Sequence, residues 1–540
     1  MKSLYFKSFF VIIDNKLKDL YILNFIGKNT KKRRKNMSSL WIETTKDEID
    51  LKPLEKDEET EVCIIGAGLF GLTTAYYLTQ CGKKVIVLEK DNIGEKVSGN
   101  TTGKITSQHD LFYAHLIDDY GEEYAKKYLE ANEQAIENIK QIIEKEQIEC
   151  EFSPRKSYVY TTNQDEVIEI EKEVEAVNKL GKKAKFVTNI DLPQEIKGAI
   201  EFDGQAQFHP RKYMIGLAKS ILKQNKIYNY TTVKDVEKDG ENYKVFTDKG
   251  AIKAKYVVLA THFPIVNMPG FYFLKMFQAT SYLIGIETNS KLPQEMYINI
   301  KEPVYSFRTA NYNGKEILLI GGVGHKTGEP IPEESYYEKL EKKAKEMYPD
   351  CKVLFKWNTR DCISLDKIPY IGEFSNLMKN MYVGTGFKKW GMTLSNVAAN
   401  IVTDKITGNE NEFEKIFTAT RMKPVKNRWE VENMLKETVN SIAIKKLKID
   451  TWSVDNIENN NGAIIEIDGN NVGIYKDTNG KVYAVKPNCS HLGCLLSWNN
   501  TDKTWDCPCH GSRYDYMGRN IYEPGIKNLQ VDILTAGELF

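Results

Sequence analysis

Apolar residues recur along the chain in two different patterns. In the first four hundred or so positions, long apolar runs alternate with segments of helical spacing. "EVCIIGAGLFGLTTAYYL" sets Val62–Ile65 before a glycine-rich stretch and a small-residue segment, which predicts a buried strand, a tight turn and a helix. "KKVIVLEK" predicts a second strand ending in Glu89, and "YVVLATH" (Tyr256–His262) a further one. "FHPRKYMIGLAKSIL" carries apolar residues at helical spacing behind Pro210, a residue suited to a first helical turn. Between 280 and 325, "ATSYLIGIET", "PVYSFRT" and "KEILLIGGVGHKTG" alternate as antiparallel strands. "NMYVGTGFKKWGMTLSNVAAN" predicts a strand, a glycine turn and a helix. After residue 460 the pattern changes. "GAIIEIDGNNVGIYKDTNGKVYAVKP" is short alternating runs broken by Gly-Asn and Asn-Gly, an all-β signature. The fold class expected is therefore an α/β dinucleotide-binding domain of Rossmann type carrying an antiparallel-sheet region, followed by an all-β domain.

A chain of 540 residues is too long for a single core, in keeping with that division. The boundaries read as 55–410 for the first domain, with the antiparallel region interleaved over about 150–365. A charged connection follows at 411–449, then the β domain at 450–540. A net charge of +1 gives no bulk attraction to nucleic acid, so no nucleic-acid partner is expected. No apolar run spans a membrane; the longest N-terminal stretch, Phe9–Ile13, is bracketed by charges. With no export signal either, the expected location is cytoplasmic. Residues 1–36 fit nothing downstream. They read as a translated leader or disordered tail, with a protein start at Met37; a basic membrane-surface segment is the alternative.

The chemistry begins in two short loops, "CSHLGC" (489–494) and "CPCHGS" (507–512). Each supplies one cysteine and one histidine: Cys489 with His491, then Cys507 with His510. A Cys₂His₂ zinc finger keeps its cysteines and histidines on separate prongs. Mixed prongs suit a two-iron cluster with two thiolates on one iron and two imidazoles on the other, the Rieske arrangement. The stretch resembles the Rieske family, specifically its cytochrome bc-complex branch, over roughly residues 450–540. The resemblance implies a 2Fe-2S cluster on Cys489, His491, Cys507 and His510. It also implies a disulfide between Cys494 and Cys509, and hydroxyl donors to cluster sulfur at Ser512 and Tyr514. "YEPGIKNL" matches only part of the proline-rich loop that covers the cluster in that branch.

At the other end, Gly66, Gly68 and Gly71 stand in G-x-G-x-x-G spacing between a strand and a helix, with Glu89 closing the next strand. That combination predicts pyrophosphate at a helix N-terminus and a ribose on the acid. With "GNTTGKITSQHD" (Gly99–Asp110) and the late motif of Gly384, Gly386 and Gly391, the region resembles FAD-dependent oxidoreductases of the D-amino-acid oxidase and glycine oxidase class, over roughly 58–410. The resemblance implies FAD held by the three motif glycines, Glu89 with Lys90 beside it, Thr102 and Gly103. Val233 would cover adenine, and the helix after Gly391 would approach the flavin. "GGVGHKTG" lacks the spacing of a second dinucleotide site, so a small-molecule substrate is the expected electron donor.

Arg308 is the candidate for a substrate carboxylate and His325 for a base, with His109 and His209 behind them. Cys362 lies just before the late flavin motif, but its spacing to Asp366 does not match covalent flavin attachment. The function expected is a flavin-dependent dehydrogenase. It would oxidise a small amine, amino acid or hydroxy acid and pass electrons singly to the cluster, then to a carrier or quinone. The alternatives are a reductase or oxygenase-like component in which the cluster feeds the flavin, and a non-enzymatic redox sensor.

Overall fold

The computed structural model describes residues 38–332, 334–421, 454–467 and 469–530. The expectations for residues 1–36 and for 422–449 of the connection lie outside the described residues.

The first sheet runs in the order Tyr370–Glu373, Met381–Thr385, Ala251–Leu259, Glu58–Ile65, Val85–Leu88, Lys226–Tyr228. Its central neighbours are parallel, with Val62 opposite both Tyr256 and Val85. Val62–Ile65 and Val85–Leu88 are buried throughout, which is why they are continuous apolar runs: helices cover one face and a second layer the other. The helix Leu69–Gln80 packs on the helix Gly391–Thr407. Both are rich in Gly, Ala, Ser and Thr, and both are buried on nearly every side, so neither needs a polar face.

The second sheet has Lys352–Ser364 at one edge, then Met276–Glu287, Lys315–Lys326 and Tyr305–Tyr312, all antiparallel. Register decides what each face shows. On one cross-strand row His325, Thr280 and Arg360 are neighbours; on the next, Gly324, Ser281 and Thr359. Alternation sends these rows to opposite faces.

The first domain extends further in both directions than its sequence suggests. Before residue 55, the short helix Leu40–Glu43 buries Leu40 and Trp41 completely, and the Trp41 indole donates to the Thr101 carbonyl at 2.7 Å. After residue 410, Phe417 is buried in the first core, and Arg421 makes a two-pronged pair with Asp366 at 2.7 and 2.9 Å. Residues 411–421 therefore belong to the domain rather than to a connection.

The C-terminal region is all β: a three-stranded sheet over Asn461–Val485 and a four-stranded one over Ser497–Tyr522. The Asn479-Gly480 turn sits between strands as its sequence requires, with Gly480 at φ +78°. Its apolar clusters are separate from those of the first domain. Inside it, Arg513 reaches both Asp502 (2.6 Å) and Asp506 (2.8 Å), all three buried. Among the described residues no helix is long and apolar enough to cross a membrane.

Candidate functional site

A cavity of about 460 Å³ runs along the ends of the first sheet and under the second. At one end stand Gly66, Gly68, Glu89 and Val233; farther along come Gly384 and Gly391. Two of the motif glycines are demanded by close approach. Gly66 has φ +109°, and a Cβ there would lie 2.4 Å from the Ala260 carbonyl oxygen. A Cβ on Gly71 would lie 2.0 Å from the Gly66 carbonyl oxygen. The turn is thus tight enough to set the start of the helix Leu69–Gln80 against the cavity. A Cβ on Gly384 would meet the Phe70 ring at 2.7 Å, and Gly386 holds φ +74°.

The Glu89 carboxylate is 8% exposed and accepts from the Ala67 and Asp91 amides at 2.8 and 3.0 Å. Burial, and then the Asp91 carboxylate, push its pKa up to about 7. A folded pKa raised above the usual carboxyl value contributes stability that is complete below about 4.5 and is lost as pH rises through about 7. A ribose hydroxyl donating to Glu89 favours the ionised form and works against that loss. FAD affinity of the apoprotein is therefore expected to rise with pH across this window and level off above it. Glu89→Gln should flatten the profile, and Glu89→Ala should cost roughly 1.5–3 kcal/mol of binding. Fluorescence titration of FAD at several pH values checks this; an unchanged pH slope in Glu89→Gln would remove Glu89 from the role.

Arg308 and His325 do not stand where a substrate would meet them. The Arg308 guanidinium is buried and donates to the carbonyls of Thr102, Gly103 and Phe208 at 3.0 Å, and to Thr309 at 2.8 Å. It also lies 5.2 Å from the Trp41 ring. It fixes the 101–103 loop rather than lining the cavity. His325 lies on the opposite sheet face, stacked on Tyr336 at 5.1 Å. His109 is closed off in the core by the Tyr128 hydroxyl at 2.8 Å, and His209 caps the helix Pro210–Ile221. Cys362 does line the cavity, as a buried thiol whose pKa burial drives well above the usual value.

The cations that do line the cavity are others. Lys104 is buried and donates to the Tyr297 carbonyl (2.8 Å) and the Ser306 hydroxyl (2.6 Å); burial, then the Arg308 charge, lower its pKa to about 7. Lys388 stands 4.2 Å over the Phe112 ring, lowered by burial to about 8. Asp361, raised by burial to about 6, adds a carboxyl. A lysine between glycine and isoleucine in "TTGKIT" was the available sign of the first.

The two C-terminal loops meet as their spacing requires. The Cys494–Cys509 disulfide joins them, and the Cys507 sulfur lies within 4.8 Å of both its sulfurs. Cys489 is held toward thiolate by the Cys507 thiol, then by the Ser512 and Tyr514 hydroxyls. The Tyr514 hydroxyl stands 3.5 Å from its sulfur and accepts from the Ser490 amide at 2.9 Å. The His491 and His510 rings are 5.1 Å apart, and burial lowers both, to about 4 and about 3, so both offer neutral lone pairs. His491 Nδ1 and both His510 nitrogens are buried without a partner. Two thiols and two neutral imidazoles, each with a buried nitrogen left free, on one tip fit a Rieske cluster. The Glu523–Ile526 stretch closes over the tip, with the Gly525 amide donating to Ser512 Oγ at 2.9 Å.

This tip faces the first domain. His491 Nε2 pairs with Asn267 Oδ1 at 2.8 Å, which leaves Nδ1 for iron. Phe273 packs edge-on to both histidines at 5.8 and 5.7 Å. Gln278 donates to the carbonyls of His510 (2.9 Å) and Glu523 (2.8 Å). Lys90, placed by sequence on the cofactor, lines the cavity, but its ammonium donates to Asn520 Oδ1 at 2.8 Å.

The family model for FAD dependent oxidoreductases, DAO, matches residues 61–405, and that for the Rieske [2Fe-2S] domain matches 449–532. YhfW of Bacillus subtilis, named as a Rieske 2Fe-2S iron-sulfur protein, is 36% identical over 89% of this chain and 95% of its own length. Gamma-glutamylputrescine oxidoreductase of Escherichia coli is 23% identical over 66% of this chain and 85% of its own. The crystal structure of glycine oxidase from Geobacillus kaustophilus matches with TM-score 0.58 and 17% identity, over 68% of this chain and 100% of that one, a likeness of fold.

Proposed function

The chain belongs to the FAD dependent oxidoreductase family, with FAD and a Rieske 2Fe-2S cluster as its cofactors, and on that footing we propose that it dehydrogenates a small amine, amino acid or hydroxy acid and sends the electrons out singly through its Rieske domain. FAD supplies an acceptor for a hydride and the cluster an acceptor for single electrons. The observation that carries the reading is the 2.8 Å pairing of His491 Nε2 with Asn267 Oδ1. Asn267 lies two residues beyond Ile265, which lines the cavity, so one short segment touches both the cavity and a cluster ligand. The carboxamide oxygen of Asn267 holds the imidazole N–H in place, and Phe273 supplies an apolar edge against both rings.

The far end of the cavity supports a small charged substrate. Lys104, Lys388 and Lys389 are cations a carboxylate would meet there, and Asp361 is a carboxyl that could take an ammonium. The relative named for gamma-glutamylputrescine favours an amine or amino acid among the three classes.

Anaerobic mixing with a panel of amines, amino acids and hydroxy acids tests the reading. A productive substrate should bleach the flavin absorbance and then reduce the cluster. Reduction only by an added electron donor, with no substrate able to bleach the flavin, would contradict it.

A further inference from the structure

The two domains have separate cores, yet they share one cavity. Asn520, Tyr522, Glu523 and Ile526 of the Rieske domain line it, opposite the loop that follows Glu89. We propose that residues 520–526 are part of the FAD site, closing its nucleotide end, so that FAD leaves quickly only when the Rieske domain undocks.

The contact is directional. Lys90 Nζ donates to Asn520 Oδ1 at 2.8 Å and lies 3.4 Å from the Glu523 carboxylate. Lys96 Nζ donates to the Ile521 carbonyl at 3.1 Å while pairing with Asp91 at 2.9 Å. The Tyr522 ring meets two cations, the Arg360 guanidinium at 3.8 Å and the Lys96 ammonium at 5.0 Å from its centre. Such contacts gain strength when shielded from water. The segment is also braced from within. Asn520 Nδ2 donates to the Gly525 carbonyl at 2.7 Å and the Tyr522 carbonyl at 3.2 Å. Gln278 holds the Glu523 carbonyl from the far side.

Lys90, Asp91 and Lys96 all belong to the loop that follows the strand Val85–Leu88 and Glu89. The segment therefore covers the end of the cavity where the nucleotide is expected, rather than only its substrate end. Cofactor sites commonly lie between domains, and a group that binds only the docked form must in turn stabilise docking. Apoprotein should accordingly undock more readily than holoprotein.

The test is the rate of FAD release from the full-length holoprotein after dilution, followed by the rise of free-flavin fluorescence. Asn520→Ala combined with Ile526→Ser changes only the Rieske side of the wall. FAD release should quicken by about tenfold, equivalent to ~1.4 kcal/mol, with the cluster's visible circular dichroism unchanged. Release at the parent rate with an intact cluster spectrum would overturn the proposal. Should that variant lose its cluster, Gly328→Val decides, because Gly328 lies on the interface but outside the cavity. Faster FAD release in Gly328→Val supports the proposal, and release at the parent rate while cluster reduction is slowed overturns it.

Discussion

Cys507→Ala and His510→Ala are each expected to abolish the Rieske electron paramagnetic resonance signal completely, while flavin is still bound and still bleached by substrate. Both side chains are buried, at 0% and 1% exposure, so no surface group can substitute for either. Removing one leaves an open iron position inside an apolar tip, and a site assembled by four ligands on two loops does not hold its metal with three. The flavin survives because its glycine turn and Glu89 belong to another core. In these variants the electrons taken from substrate have no single-electron outlet, so turnover with a one-electron acceptor should fall to background. Metal analysis and spectra of the purified variants check the first part, steady-state assays the second. Retention of a normal cluster signal in either variant would remove that residue from the ligand set.

Gly328→Val is expected to separate the two halves of the reaction. Gly328 holds φ +92°, and a Cβ there would lie 2.4 Å from both N and Cα of Pro508, in the loop that carries Cys507 and His510. A β-branched residue at positive φ costs about 1–3 kcal/mol, and overlap with backbone adds about as much. The strain is present whether or not the domains dock, so the overlap alone acts on docking and shifts it by about tenfold. Flavin bleaching by substrate should proceed at the parent rate, and cluster reduction should slow by at least that factor. Gly314→Val is the control: it has φ +77° and nothing within 4 Å of an added Cβ, so it carries the backbone strain without the collision. Equal behaviour of the two variants in stopped-flow would show that docking does not govern transfer.

What the sequence made legible was chemistry with fixed local spacing. Gly66, Gly68, Gly71 and Glu89 lie within one strand–turn–helix–strand unit, and Cys489, His491, Cys507 and His510 within two short loops. In both cases neighbours in the chain become neighbours in space, and the structure brings each set together. Arg308 and His325 were not legible because a strand residue's surroundings depend on sheet register and on what covers each face. His325 falls on the row with Thr280 and Arg360, away from the cavity. Arg308 is taken by three carbonyls from segments about 100 to 206 residues distant. The same limit hid Trp41, whose partner at Thr101 is 60 residues away, and Lys90, whose partner at Asn520 is 430 away. Docking of two domains is set by surfaces that no local spacing encodes.

The central claim is that electrons pass from the substrate cavity to the cluster across the Asn267–His491 contact. Freeze-quenched samples from one anaerobic mixing with a productive substrate test it most directly, with flavin absorbance and cluster paramagnetic resonance read at each time. The account predicts that flavin bleaching comes first and that the cluster signal grows as a fraction of the flavin reoxidises, more slowly in Asn267→Leu than in the parent. A cluster signal that precedes flavin bleaching, or one that never appears although the flavin is fully bleached, would contradict it.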